Sequence, residues 1–123
     1  MKTVIFLAAI AYVTAAESDY YDLVKLDMPK LSKDPKELKV FVDCVLDKGP
    51  CSPLYKTYRD IAQDTVDNRC KKCSDYQRHC YWQFLQGLKA FYPEDYIGFR
   101  AKYDPENKYF DDLESLLKNY ANE

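Results

Sequence analysis

The sequence predicts an all-α fold, and three observations carry that prediction. Apolar residues recur at helical spacing in four separate stretches, prolines stand just behind residues that can cap a helix, and no stretch alternates apolar and polar residues as a strand would. About six helices are expected, with cysteine pairs at two of their corners.

The chain opens with Lys2, an apolar run from Val4 to Val13, and the small residues Thr14, Ala15 and Ala16 ahead of Glu17. A charged start, a short apolar centre and a small-residue exit make up a secretory signal peptide. The run falls short of the roughly 20 residues a membrane span needs, and no second apolar run approaches that length. Residues 1–16 are read as a leader and 17–123 as a single helical domain, secreted to the extracellular space without a membrane span.

The helices follow in order. Asp27-Met28-Pro29, Asp34-Pro35, Ser52-Pro53 and Asp104-Pro105 each place a capping side chain near a proline, whose fixed φ and missing N–H suit a first helical turn. Pro93 after Tyr92 has a similar place, so five of the six prolines are expected to open helices and only Pro50 to sit in a plain turn. Asp34 with Glu37, and Ser74 with Gln77, have the spacing of reciprocal capping boxes, which fixes helix starts near 35 and 75. One short helix is expected over 27–32 and another over 94–102.

Four apolar stripes fill the pattern. Leu38, Phe41, Val42, Val45 and Leu46 form the first, and Tyr58, Ile61, Ala62, Thr65 and Val66 the second. Tyr81, Phe84, Leu85, Leu88 and Phe91 form the third, and Leu113, Leu116, Leu117 and Tyr120 the last. Such stripes are first of all core, although tyrosines at 58, 81 and 96 could also line an apolar chamber with a polar end.

Charge and composition exclude several function classes. The whole chain carries a net charge of −2, one unit more negative once Lys2 is removed, so neither nucleic acid nor an anionic membrane is an expected partner. Three scattered glycines, Gly49, Gly87 and Gly98, build no phosphate loop, and no cofactor is expected. A Ser/His/Asp set would have to be built on His79, the sole histidine, and none is credible here. Asp111-Asp112 and Glu94-Asp95 suit helix starts, where the dipole favours acids, better than catalysis. The chain is not expected to be an enzyme.

The five cysteines leave one odd. Locality favours Cys44 with Cys51 and Cys70 with Cys73, but Cys73 with Cys80 has the same spacing as Cys44 with Cys51 and stays open as a competitor. A redox reading of Cys70-Lys71-Lys72-Cys73 lacks the preceding strand that a thioredoxin-like motif requires. A zinc reading needs three cysteines and His79 in an oxidising compartment, so no metal site is assigned. Cys80 and His79 are neighbours on one helix and point about 100° apart, which argues against a nucleophile and its base. His79 is expected to be an ordinary exposed residue, and Cys80 a buried thiol or the link of a dimer of an otherwise monomeric chain.

These words and spacings resemble the insect chemosensory proteins. The resemblance rests on Cys44-x6-Cys51-x18-Cys70-x2-Cys73, on the stretch from Leu46 to Cys51, on Cys70-Lys71-Lys72-Cys73-Ser74 with Gln77, on Ala101 to Pro105, and on Tyr21-Asp22 with Leu26-Asp27. It implies six helices around an internal apolar channel, disulfides between cysteines neighbouring in sequence, and a soluble carrier of long-chain acids, alcohols, esters and odorants. By position, Phe41 stands where relatives often have a channel-facing tyrosine, and Tyr96 where many have a tryptophan at the mouth. Three features depart from the pattern: Cys80 replaces a small residue, Trp82 lies off the usual tryptophan position, and the tail from Phe110 to Glu123 is more regularly amphipathic.

The stripes and the resemblance together give a candidate ligand-facing set. It comprises Leu31 on the first helix, Phe41, Val42 and Val45 on the second, and Tyr58, Ile61, Ala62 and Val66 on the third. Tyr81, Phe84, Leu85 and Leu88 on the fourth and Tyr96 and Phe99 on the fifth complete it. The expected partners are small apolar ligands. The alternatives are an extracellular gland or saliva protein acting through its surface or through Cys80 dimers, and a CxxC thiol-disulfide protein.

Overall fold

A computed structural model describes residues 20–122; the leader assigned to residues 1–16 lies outside the described residues. Among the described residues six α-helices follow one another: α1 (Met28–Leu31), α2 (Pro35–Val45), α3 (Pro53–Asp67), α4 (Asp75–Phe91), α5 (Pro93–Tyr103) and α6 (Phe110–Leu117), with a 3-10 turn at Lys118–Tyr120. Residues 20–27 precede α1 as an irregular strap. No strand is present among the described residues.

The helix starts follow the expected chemistry. Asp27, Asp34 and Ser52 each accept a backbone N–H of the first turn, and Pro29, Pro35, Pro53 and Pro93 occupy first-turn positions. At α4 the Ser74 and Gln77 box closes in both directions, Gln77 N donating to Ser74 Oγ at 3.2 Å and Ser74 N to Gln77 Oε1 at 2.9 Å.

Pro105 is the exception. It lies in a turn, and the last helix begins five residues later, at Phe110. Asp104 is a cap all the same, but its carboxylate reaches forward and accepts the N–H groups of Lys108 (2.8 Å), Tyr109 (2.9 Å) and Phe110 (2.8 Å). A left-handed residue, Asn107 (φ 56°), breaks any helix before that point. Asp104 is buried. Burial would push its pKa up, but the three N–H donors and Arg100 outweigh that and hold it below the usual carboxylate range.

Two corners carry disulfides. Cys44 at the end of α2 joins Cys51 before α3, and Cys70 joins Cys73 between α3 and α4, each pair with Cα atoms 5.0 Å apart. The chain reaches the second pair through two successive left-handed residues, Arg69 (φ 53°) and Cys70 (φ 61°). Cys80 is the free cysteine, so the Cys73–Cys80 pairing is not the one adopted.

The expected apolar stripes form the core. Leu38, Val42, Val66, Leu85, Leu88, Phe110, Leu113 and Leu117 are fully buried. α4 packs against α1, α2, α5 and α6. The rings of Phe41, Phe84, Phe99 and Phe110 run edge to face through the middle, with centroids 5.3, 5.4 and 5.9 Å apart. α1 lies against α4 at Gly87, where a Cβ would sit 3.2 Å from both Ser32 O and Leu38 Cδ2.

Two sequence expectations fail at helix faces. His79 is buried, not exposed, and its Nδ1 lies 2.8 Å from Tyr120 O, so the chain end covers it. Phe91, at the end of its stripe, is 45% exposed because α4 stops there.

Candidate functional site

Tyrosine hydroxyls donate to backbone carbonyls at helix ends and in the strap. Val45 ends α2, and its carbonyl accepts the Tyr103 hydroxyl at 2.5 Å; Pro35 O accepts Tyr92 at 2.7 Å. The same device holds the strap. Tyr58 donates to Val24 O, and Tyr76 donates to Leu26 O at 2.6 Å. Farther up the strap, Tyr21 N donates to Lys72 O at 3.0 Å, inside the second disulfide loop. The Tyr21 hydroxyl donates to Asp64 at 2.5 Å, and Gln77 Nε2 to Tyr21 O at 3.2 Å.

Beneath the strap lies a half-open cavity of about 230 Å³. Its inner wall is Phe41 and Val45 from α2, Tyr58, Ile61, Ala62 and Thr65 from α3, Tyr81 and Phe84 from α4, and Phe99 from α5. The outer wall is the strap itself, with Leu23, Lys25 and Leu26 among its lining residues. The rim comes from the start of α4 with Ser74, Tyr76, Gln77 and Cys80. The lining is mainly apolar, with polar atoms gathered toward the strap and the α4 start.

The structure thus brings eight of the sequence candidates to one cavity: Phe41, Val45, Tyr58, Ile61, Ala62, Tyr81, Phe84 and Phe99. It places Leu31, Val42, Val66, Leu85 and Leu88 in the buried core away from that wall. Tyr96 stands at α6, its ring 6.1 Å from Phe110 and its hydroxyl donating to Glu114. The strap residues and the rim residues Tyr76 and Cys80 escaped the sequence reading. An irregular segment has no period to read; the available signals were the apolar Leu23 and Leu26 just before the first cap and the Tyr21-Asp22 and Leu26-Asp27 words of the resemblance.

The tyrosine hydroxyls of the inner wall and rim are un-ionised donors. Burial pushes the Tyr58 and Tyr76 hydroxyls up to about 12, and raises Tyr81 further. The Tyr81 hydroxyl lies deep, 3.5 Å from Thr65 Oγ1, which itself donates to Ala62 O at 2.8 Å. Cys80 is half-buried with its Sγ 3.9 Å from Leu26 O, and burial raises its thiol pKa as well, away from thiolate chemistry. Cys70 and Cys73 are both buried, so neither sulfur is offered to an attacking thiol. Among the described residues no cluster of three His, Cys, Asp or Glu side chains could hold a metal, and no helix is long and apolar enough to cross a membrane.

Comparison with known proteins gives this cavity its setting. The chain is 35% identical over 106 residues to the allergen Tha p 1 of Thaumetopoea pityocampa, covering 83% of this chain and 82% of that protein. It is 26% identical over 111 residues to ejaculatory bulb-specific protein 3 of Drosophila melanogaster, covering 89% and 88%. Among solved structures, a chemosensory protein in complex with bromo-dodecanol superposes with a TM-score of 0.66 at 27% identity, over 74% of this chain and 91% of that one. Antennal chemosensory protein A6 of the moth Mamestra brassicae does so with a TM-score of 0.62 at 28% identity, over 76% and 86%. Residues 18–111 match the model of the insect pheromone-binding family A10/OS-D, and with six helices, two local disulfides and that cavity, the chain belongs to this family.

Proposed function

We propose that this chain is a secreted carrier that reversibly holds small apolar ligands, such as long-chain fatty acids, alcohols, esters and semiochemicals, in the cavity beneath the strap. The observation that carries the reading is the half-open apolar cavity itself, in a family described as pheromone-binding and with a fold neighbour described in complex with bromo-dodecanol. Export is supported by the leader-like start and by two disulfides, which persist in oxidising compartments.

No bond is made or broken in this function. Burial of an alkyl chain contributes about 25 cal/mol per Å² removed from water, less the cost of ordering ligand and strap. Micromolar affinity, about −8 kcal/mol, is the expected outcome. Each added methylene contributes only about 0.8 kcal/mol, so selectivity for chain length is gradual. Cys80 is turned to the strap and half-buried, which favours a monomer over a dimer linked through it.

The test is titration of the oxidised protein with N-phenyl-1-naphthylamine, followed by displacement with dodecanoic to octadecanoic acids and the matching alcohols. Saturation near one probe per chain, and displacement that strengthens with chain length until the cavity is filled, is expected. Binding that neither saturates nor yields to competitors would end the carrier reading.

A further inference from the structure

Two of the cavity's hydroxyl donors, Tyr58 and Tyr76, are spent on the protein's own backbone. Their acceptors, Val24 O and Leu26 O, lie two residues apart on the strap, and both tyrosines also line the cavity. Between its anchored ends the strap is loosely held. Tyr21 makes the only backbone-to-backbone bond from the strap to α3, α4 or their connecting loop, and Val24 is 71% exposed. A ligand carbonyl offers a phenolic O–H the same kind of acceptor as a backbone carbonyl, an sp² oxygen with two lone pairs, though a weaker one than an amide.

We infer that the Tyr58 and Tyr76 hydroxyls form a head-group site, held by the strap carbonyls when the cavity is empty and given over to the carbonyl of an ester, ketone or aldehyde when a ligand is bound. The inference rests on the carrier reading and names the ligand class within it: amphiphiles bearing a neutral carbonyl acceptor, in preference to plain hydrocarbons. Three further observations support the exchange.

The first is size. A cavity of about 230 Å³ falls below the roughly 300 Å³ at which pockets for drug-sized ligands begin, so a long chain is admitted only if Leu23 and Leu26 move outward with the strap. The donors are released by that same movement. The second is polarity. The inner end is built from the Phe41, Phe84 and Phe99 rings and suits an alkyl tail, whereas the strap side carries the two donors and opens to water that can solvate the rest of a head group. Binding head-first at the deep Tyr81 hydroxyl would leave the tail in that water.

The third is charge. Lys25 lies over the Tyr76 ring, 4.8 Å from its centroid, but Asp22 lines the cavity and Asp27 caps α1 beside it. Two carboxylates against one ammonium give the mouth no surplus of positive charge for a carboxylate head. Tyrosine hydroxyls are protonated at physiological pH, and burial raises both further to about 12, so the donors are present throughout that range.

The test compares methyl dodecanoate with tridecane as displacers of N-phenyl-1-naphthylamine, in the wild type, in Tyr58→Phe/Tyr76→Phe, and in Tyr81→Phe, each checked for native far-UV circular dichroism. Freeing the strap helps both displacers alike, so the ratio of their affinities isolates the head group. The ester-over-hydrocarbon preference is expected to fall about tenfold or more in the double variant, each lost hydrogen bond accounting for about three- to tenfold, and to stay within twofold of wild type in Tyr81→Phe. An unchanged preference in the double variant, or its loss in Tyr81→Phe instead, overturns the head-group assignment while leaving the carrier function intact. If neither compound displaces the probe from the wild type, the carrier function itself fails, and the inference with it.

Discussion

The two ends of the described chain both close over the same bundle, and they do so by different physics. At the C-terminal end, α6 lays a regular apolar stripe on α4, and Phe110, Leu113 and Leu117 are wholly buried. At the N-terminal end, the strap buries Leu26 and is otherwise held by one backbone bond from Tyr21 and by side-chain hydrogen bonds, among them those from Tyr58, Tyr76 and Gln77, with the cavity beneath it. An apolar period packs without voids because each side chain finds a complementary gap. A strap fastened mainly by a few hydrogen bonds lifts at the cost of those bonds, each a net of about 1 kcal/mol, and of re-exposing Leu26. The filled end secures the fold, and the hollow end is where the proposed function places the ligand.

The contrast can be broken most severely at the filled end. Leu113→Ala should cost about 2–5 kcal/mol in urea unfolding, because it opens a new void in a fully buried position. Probe affinity per folded molecule should stay within about twofold of wild type, since Leu113 does not line the cavity. A comparable loss of affinity in the folded fraction would show that the two ends are not separable.

A second variant sharpens the contrast from the other side. Cys70→Ser/Cys73→Ser opens the loop whose Lys72 carbonyl holds Tyr21, and the chain-entropy relation puts the stability loss at about 2 kcal/mol. Hydrogen exchange should rise by at least tenfold in residues 21–26 and much less in α6. Equal acceleration in both would mean that the disulfide supports the bundle as a whole.

The two ends should also fail at opposite extremes of pH. Asp104, which caps the start of α6, has a folded pKa held below its unfolded value of about 3.9. Its contribution is therefore complete above that value and is lost as pH falls through the folded pKa. Tyr58 and Tyr76 are raised to about 12 from about 10, so their contribution is complete below pH 10 and is lost as pH rises toward 12. Hydrogen exchange by segment should show α6 loosening first below about pH 4 and the strap first above about pH 10. The reverse order would contradict the assignment of caps and donors.

The filled end was the legible one. Leu113 and Leu117 announce a stripe four residues apart, and the local cysteine spacing favoured the two pairs that the structure contains. Asp104-Pro105 was misleading because a cap followed by proline normally opens a helix at once, whereas here the carboxylate reaches four to six residues forward. His79 read as exposed because nothing local reports that Tyr120 folds back on it. The cavity was half legible. Tyr58, Ala62 and Phe84 lie on readable stripes, but which stripe residues face a void depends on how helices cross, and Val66 and Leu88 on the same stripes face packed core. The strap was illegible, since its position is fixed by hydroxyls from residues more than thirty positions away.

The most direct measurement is probe stoichiometry in the wild type and in Ala62→Phe. Ala62 is buried in the cavity wall, and a phenyl group there should project into existing space without unfolding the bundle. The wild type should bind close to one N-phenyl-1-naphthylamine per chain, and Ala62→Phe, with an unchanged circular dichroism spectrum, should bind it at least about tenfold more weakly. Equal binding by the two proteins would place the ligand somewhere other than beneath the strap, and no saturable binding by the wild type would contradict the carrier account outright.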